Sequence, residues 1–276
     1  MKPNTVNNDN GKRVAATILS LVTLALVAGG VIAAYGYLRG LWIEQCVIHD
    51  VSGQVTVEVN SGKMVKAETI REAFGLKKGA NLAEIDFRGR RKEVLERYPM
   101  IRDLTIERHL PDRISIAVGE REPVARMNVR GGKSETGRVS DAEGVVFPCR
   151  RGTVMLPVIR ESPSAPFTPN GARLTGRKLS ARRLLEVSKD PAYSVLGILE
   201  VDVSKPDFLV LTLGNSSTAV ITWDGMEGGE RSSAKALEER LADLAAAVRN
   251  NPRTDTVTWN ATLPGQVSAI SQGTAP

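Results

Sequence analysis

The residues best placed for covalent chemistry are Ser232 and Lys235, in the run Ser232-Ser233-Ala234-Lys235. An S-x-x-K spacing sets a lysine amine one helical turn from a serine hydroxyl, the arrangement of serine acyl-transfer enzymes that act on the cell wall. The companion elements of that chemistry are missing: Ser140-Asp141 is followed by Ala142 rather than Asn, and no K-T-G occurs. A serine at a helix start followed by a lysine on a solvated face accounts for the pattern. Gly131-Gly132-Lys133-Ser134 carries the end of a phosphate loop, but Met127 stands where the first glycine belongs, and phosphate-cradling amides need the whole loop. That run reads as a hairpin tip. His49 and His109 have no Ser, Cys or Asp partner at a recognisable spacing, nor a shared ligand spacing for a metal. Cys46 and Cys149, the two cysteines, do not make a disulfide framework, and sequence leaves open whether they pair. The expectation is therefore a protein with no catalytic residue, no cofactor and no metal, which works by binding.

Binding surfaces must be carried by folded elements, and 42% hydrophobic residues in 276 are enough for real cores. The net charge of +6 is unevenly spread, with nine basic residues against two acidic ones over 150–189, and six against eleven over 190–276. Aromatic residues are only 4% of the chain, and none interleaves with the central arginines as a single-strand nucleic-acid site requires. Neither nucleic acid nor a small-molecule substrate is expected.

From Val14 to Leu38 there is no charged residue, and Ile18 to Val27 is dense in aliphatics. A bilayer core of about 30 Å needs about 20 apolar residues in a helix, whereas the apolar stretch of a cleaved signal peptide runs about 7–15. Ala34-Tyr35-Gly36 offers small residues at a cleavage-like spacing, but the length favours a retained anchor over a cleaved signal or a buried core helix. Lys2, Lys12 and Arg13 precede the anchor against Asp9, while Arg39 is followed by Glu44 and Asp50. The positive-inside rule then places residues 1–13 in the cytoplasm and everything after 38 outside.

Cys46 to Val51 and Val55-Thr56-Val57-Glu58-Val59 read as extended, and Asn60-Ser61-Gly62-Lys63 as a turn. Lys66 to Phe74 is a short helix ended by Gly75, and Asp86 can cap a second, with Phe87, Val94, Leu95 and Tyr98 at helical spacing before Pro99. A hairpin follows, with Leu104 and Ile106 on one strand, Ile114, Ile116 and Val118 on the next, and the turn at His109-Leu110-Pro111-Asp112. The order strand, helix, helix, strand, strand describes a small α+β unit whose helices cover one sheet face and leave an edge free.

Read in order, Thr69-Ile70, Gly75-Leu76, Gly79, Asn81-Leu82, Ile85-Asp86, Tyr98-Pro99-Met100-Ile101, Glu107-Arg108, Leu110-Pro111 and Glu120-Arg121-Glu122-Pro123-Val124-Ala125 resemble the POTRA domain of the FtsQ/DivIB division proteins. The resemblance extends downstream, where Asp141-Ala142-Glu143-Gly144-Val145-Val146-Phe147 is similar to that family's D-x-x-G-x-x-F turn. Leu156 to Ile159 reads as extended, Ser162 to Gly171 as a surface loop, and Ser180 to Val187 as a helix. Strands follow at Ile198–Val203, Phe208–Leu213 and Ala219–Trp223, then a long helix from Ser232 or Ser233 to Asn250. Thr256 to Thr262 is the last expected strand.

The expected fold class is a single N-terminal transmembrane helix followed by α+β: a POTRA domain (β-α-α-β-β) and a mixed, β-rich second domain. The boundaries are a tail at 1–13, the membrane helix at 14–38, the POTRA domain at 45–124, the β domain at 125–262 and a disordered tail at 263–276. The resemblance implies a bitopic scaffold in the bacterial inner membrane at the division septum, joining FtsB/FtsL-type partners and helping to control septal peptidoglycan synthesis. The expected mechanism is strand addition at an exposed sheet edge. By position, the partner-binding residues are Val257, Thr258, Trp259, Asn260, Ala261, Thr262, Leu263 and Val267, with Lys205 as a nearby charge. The chain departs from one family pattern by carrying Asn260 and Ala261 where a basic and an aromatic residue occur. Two other classes compete: a POTRA-type chaperone of envelope proteins, and a Ser/Lys cell-wall enzyme resting on Ser232 and Lys235.

Overall fold

A computed structural model describes residues 9–60, 64–109, 111–129, 137–149, 152–226, 231–251 and 257–271; for 9–18, 129, 231–233 and 271 it describes the backbone alone. The Gly131-Gly132-Lys133-Ser134 run, residues 1–8 and residues 272–276 lie outside this set. By internal contacts the chain divides into two units. One comprises Met1–Glu58, Glu68–Arg90 and Thr105–Ile116, and the other Val59–Ala67, Arg91–Leu104 and Ala117–Pro276.

The first unit begins with α1 (Asp9–Gln45). Its stretch Leu19–Gln45 is long and apolar enough to cross a membrane, and none of it is buried in the protein, which removes the core-helix alternative. Within it Thr23 donates its hydroxyl to the Leu19 carbonyl at 2.8 Å, so the polar group is satisfied inside the helix, as lipid requires. Cys46 to Val51 differs from the extended segment expected. Val47 makes one bridge to Asn81, and Val51–Gln54 forms a short helix, α2, capped by the Asp50 side chain on the Ser52 N–H. The reason is side-chain competition: Gln54 Oε1 accepts from the backbone N–H of His49 (2.7 Å) and Asp50 (2.8 Å), donors that a strand would have offered to a ladder.

The elements β1 (Val55–Asn60), α3 (Ala67–Phe74), α4 (Phe87–Arg97), β2 (Ile101–His109) and β3 (Arg113–Glu120) follow in the expected order. The strands form a sheet ordered β1-β3-β2, the first strand entering beside the third. Helix α3 stops at Gly75, whose φ of +67° lets Leu76 N–H reach the Arg71 carbonyl and Gly75 N–H the Glu72 carbonyl, both at 2.9 Å. These two bonds are a Schellman termination. Asp86 caps α4 by accepting from Gly89 N–H at 3.0 Å, and Phe74 stacks on Phe87 at 6.1 Å between centroids.

The second unit holds β4 (Ala125–Val129), β5 (Arg138–Ser140), β6 (Val146–Pro148), β7 (Val158–Glu161), α5 (Gly176–Val187), β8 (Glu200–Asp202), β9 (Leu209–Thr212), β10 (Thr218–Ile221), α6 (Arg231–Asn250), β11 (Val257–Leu263) and β12 (Gln266–Ser271). A 3-10 turn at Pro191–Leu196, capped by Asp190, was not foreseen. The nine strands make one sheet in the order β12-β11-β10-β9-β8-β7-β4-β5-β6. The pairs β7/β8, β10/β11 and β4/β7 are parallel, and parallel neighbours need a long crossover. Helix α5 supplies the first and α6 the second. Ala181, Leu184 and Leu185 of α5 and Leu237, Leu241, Leu244, Ala245 and Val248 of α6 bury a single core with Ile159, Val201, Leu209, Leu211, Ala219, Ile221, Trp259 and Ala261 of the strands. Alternate residues such as Arg160, Glu200, Val210, Val220 and Thr258 are half-buried on the opposite face.

The turn after β5 explains the D-x-x-G-x-x-F pattern. Asp141 Oδ1 accepts from Val145 N–H at 2.7 Å, Gly144 adopts φ +78°, and Phe147 is fully buried. Arg121 donates to Asp141 at 2.5 Å and to Glu143 at 3.0 Å. Glu120 accepts from the N–H of Met64 (2.9 Å) and Val65 (2.7 Å). The Glu120-Arg121 pair is thus a buried joint between loops.

Candidate partner-binding edge

The strand expected to be the edge is internal. β11 lies between β10, its parallel neighbour, and β12, which pairs with it antiparallel with Val257 opposite Ser271, Trp259 opposite Ala269 and Asn260 opposite Ser268. The segment expected to be disordered, 263–276, contains this extra strand. The two-residue connection is Pro264-Gly265, in which proline presets a φ near −65° and Gly265 takes φ +65°. Gly265 N–H also donates to Asp243 of α6 at 3.2 Å, which ties the turn to the helix.

The expected site residues therefore separate into distinct jobs. Trp259 is 3% exposed and Ala261 fully buried; both belong to the core, with Val257 packed against it. Thr258 exchanges a hydroxyl hydrogen bond with Thr218 of β10 at 2.9 Å. Asn260 holds a bulge: the β11/β12 register shifts between Asn260 and Leu263, and Asn260 Oδ1 accepts from Thr262 N–H (3.1 Å) and Thr262 Oγ1 (2.7 Å). At this interruption of the register the Asn260 amide side chain gives the Thr262 N–H an acceptor. Leu263 is 59% exposed beside the turn, and Val267 on β12 is half-buried against the core. Lys205 is exposed in the β8–β9 connection. It shares the sheet end that carries Leu263, but about 14 Å of intervening strands, three spacings, separates β9 from β12.

Among the described residues no strand pairs beyond β12. Its sequence, Gln266-Val267-Ser268-Ala269-Ile270-Ser271, holds no charge and no proline, and Ile270 is 51% exposed. The other end of the sheet is closed, because Val146 of β6 gives its N–H to Ala172 (3.0 Å) and its carbonyl accepts from Gly171 N–H (2.7 Å). Edge strands are ordinarily guarded by charge. β2 is guarded in that way, with Arg102, Asp103, Glu107 and Arg108 along it, whereas β12 is not. Sequence reasoning missed β12, although Pro264-Gly265 followed by six uncharged residues is a hairpin signal.

The chemistry-bearing candidates end elsewhere. Lys235 is exposed on α6 and pairs with Glu239 one turn on, at 3.6 Å; the Ser232 side chain lies outside the described residues. His109 sits 3.9 Å from Glu107 on the surface. Cys46 and Cys149 are both buried and form no disulfide, and no cluster of three or more potential metal ligands occurs among the described residues.

Residues 53–121 match the family model of the POTRA domain, FtsQ-type. Two curated relatives are similar over longer stretches. The cell division protein FtsQ of Koribacter versatilis (strain Ellin345) is 27% identical over 216 residues, 75% of this chain and 59% of the relative. That of Neisseria meningitidis serogroup B (strain ATCC BAA-335 / MC58) is 30% identical over 138 residues, 50% of this chain and 51% of the relative. The chain thus covers less than two thirds of either relative's length. With the β-α-α-β-β order of the matched segment, these matches show that residues 53–121 form an FtsQ-type POTRA domain and that the chain is similar to FtsQ cell division proteins over the stretches given.

Proposed function

We propose that this chain is a non-enzymatic scaffold of bacterial cell division, held in the inner membrane by α1 with residues 1–13 in the cytoplasm and the rest outside. It gathers FtsB/FtsL-type partners at the septum and helps to set when septal peptidoglycan is made. The POTRA domain runs over 45–124, and the β domain starts at 125 and extends through β12. A partner segment adds as a strand to the outer edge of β12, with backbone bonds giving affinity and the exposed Leu263 and Ile270 giving selectivity. Val257–Thr262 act from behind, by fixing the position of β12. One observation carries this reading: β12 is an end strand with neither charge nor proline to protect it.

The test is a pull-down from detergent-solubilised cells with the intact chain and with a variant carrying a proline in β12, alongside imaging of the tagged chain during division. Recovery of small coiled-coil division proteins by the intact chain alone, with fluorescence at the septum, supports the reading. Recovery of unfolded outer-membrane proteins instead, with fluorescence spread around the envelope, would favour the chaperone class.

A further inference from the structure

The loop after α3 is attached to the end of the membrane helix. Asn81 Nδ2 donates to the carbonyl of Ile43, in the last turn of α1, at 3.1 Å. Immediately beyond that turn, Leu82 N–H donates to the Cys46 carbonyl (2.9 Å), Ile48 N–H to the Ala80 carbonyl (2.8 Å) and Gly79 N–H to the Ile48 carbonyl (2.8 Å). Four hydrogen bonds thus fix residues 79–82 to the point where the chain leaves the helix. Lys77 and Lys78 precede this clamp, both exposed and in no ion pair among the described residues. Gly79, at φ +85° with open space around its α-carbon, permits the turn.

The depth of this loop follows from helix geometry. The charge-free run ends at Leu38, and Ile43 lies five residues further on, a rise of about 7 Å. A headgroup layer is about 5–8 Å thick on each side of the hydrocarbon, so the Asn81–Ile43 bond falls at headgroup level. Exposed Tyr35, Tyr37 and Trp42 (67%, 70% and 45%) are the residues that settle at that boundary. The carboxylates nearest in sequence to the clamp are Glu44, Asp50 and Glu84; Asp50 is occupied in capping α2.

We infer that Lys77 and Lys78 bind anionic phospholipid headgroups in the outer leaflet of the membrane that α1 crosses, pinning this end of the POTRA domain to the bilayer surface. The inference rests on reading α1 as a membrane anchor. A lysine ammonium on a flexible stem reaches a phosphate without needing a shaped pocket, and the C-terminal end of the α1 dipole favours cations nearby.

The experiment places the full chain in nanodiscs of phosphatidylcholine and of phosphatidylglycerol and follows amide exchange at Gly79, Ala80 and Leu82, with β9 and β10 as internal controls. Exchange should be about tenfold slower in phosphatidylglycerol. The slowing should vanish at high salt and in the K77Q/K78Q variant, while the control strands do not change. Equal exchange in the two lipids, or a lipid effect that survives K77Q/K78Q, would overturn the inference while leaving the anchor intact. Failure of the chain to enter nanodiscs would overturn the anchor and the inference together.

Discussion

Proline scanning of β12 separates a partner-pairing edge from an ordinary hairpin strand. Along an antiparallel strand, successive residues direct their backbone groups alternately to one neighbour and to the other. Of Ser268 and Ala269, one therefore faces β11 and its neighbour faces the open edge. S268P and A269P each remove one donor. The inward proline breaks a β11/β12 bond and should cost about 1–3 kcal/mol of stability. The outward one should leave unfolding nearly unchanged. Half of the six residues of β12 face outward, and the outward proline removes one of those donors while its ring holds a partner strand away from the adjoining bond. Two bonds at about 1 kcal/mol each amount to about 30-fold in Kd. The assay is binding of the purified extracytoplasmic segment of an FtsB-type partner to the full chain in detergent, with thermal unfolding measured on the same samples. If the variant that melts like the parent also binds within about twofold of it, strand addition at β12 is wrong.

Asn260 gives a second discriminating result: N260A loses both bonds to Thr262 and should lower Tm by about 2–6 °C, whereas N260D keeps the acceptor and should stay close to the parent. D141A removes the carboxylate closest to the Arg121 guanidinium, 13% exposed, while Glu143 stays within 3.0 Å of it, and should cost about 1.5–3 kcal/mol by urea unfolding, with D141N costing less. Lys235 and Glu239 form an exposed pair, so K235A should change stability by no more than about 0.5 kcal/mol. S232A/K235A should support division in depleted cells as well as the parent; loss of growth with normal protein levels would revive acyl-transfer chemistry.

What the sequence disclosed was set by how local the determinants are. Gly75 ends α3, Asp86 starts α4, and the apolar stripe of α6 announces itself by spacing, since each depends on residues a turn or two apart. The D-x-x-G-x-x-F turn was legible for the same reason: Asp141, Gly144 and Val145 close it among themselves. Sheet order was not legible. Nothing near Val257 states that β10 lies on one side of it and β12 on the other, because that depends on α6 carrying the chain back across the sheet and on Asp243 meeting Gly265. The segment was read as a strand and its place in the sheet was not legible, so Trp259, Ala261 and Asn260 were assigned to a partner while their side chains serve the core and a bulge. The two-turn scale also misled at Cys46–Val51, where one glutamine side chain diverts two strand donors.

The closed end at Val146 has a bearing on assembly. A sheet with two open ends can grow through successive copies into a filament, as head-to-tail contacts do when their rotation does not close. Here the large sheet has one terminus taken by Gly171 and Ala172, which leaves β12 as its open end among the described residues. If a strand pairs at β12 as proposed, that pairing would be a saturable, one-for-one event, and two copies meeting there would block each other's site rather than propagate.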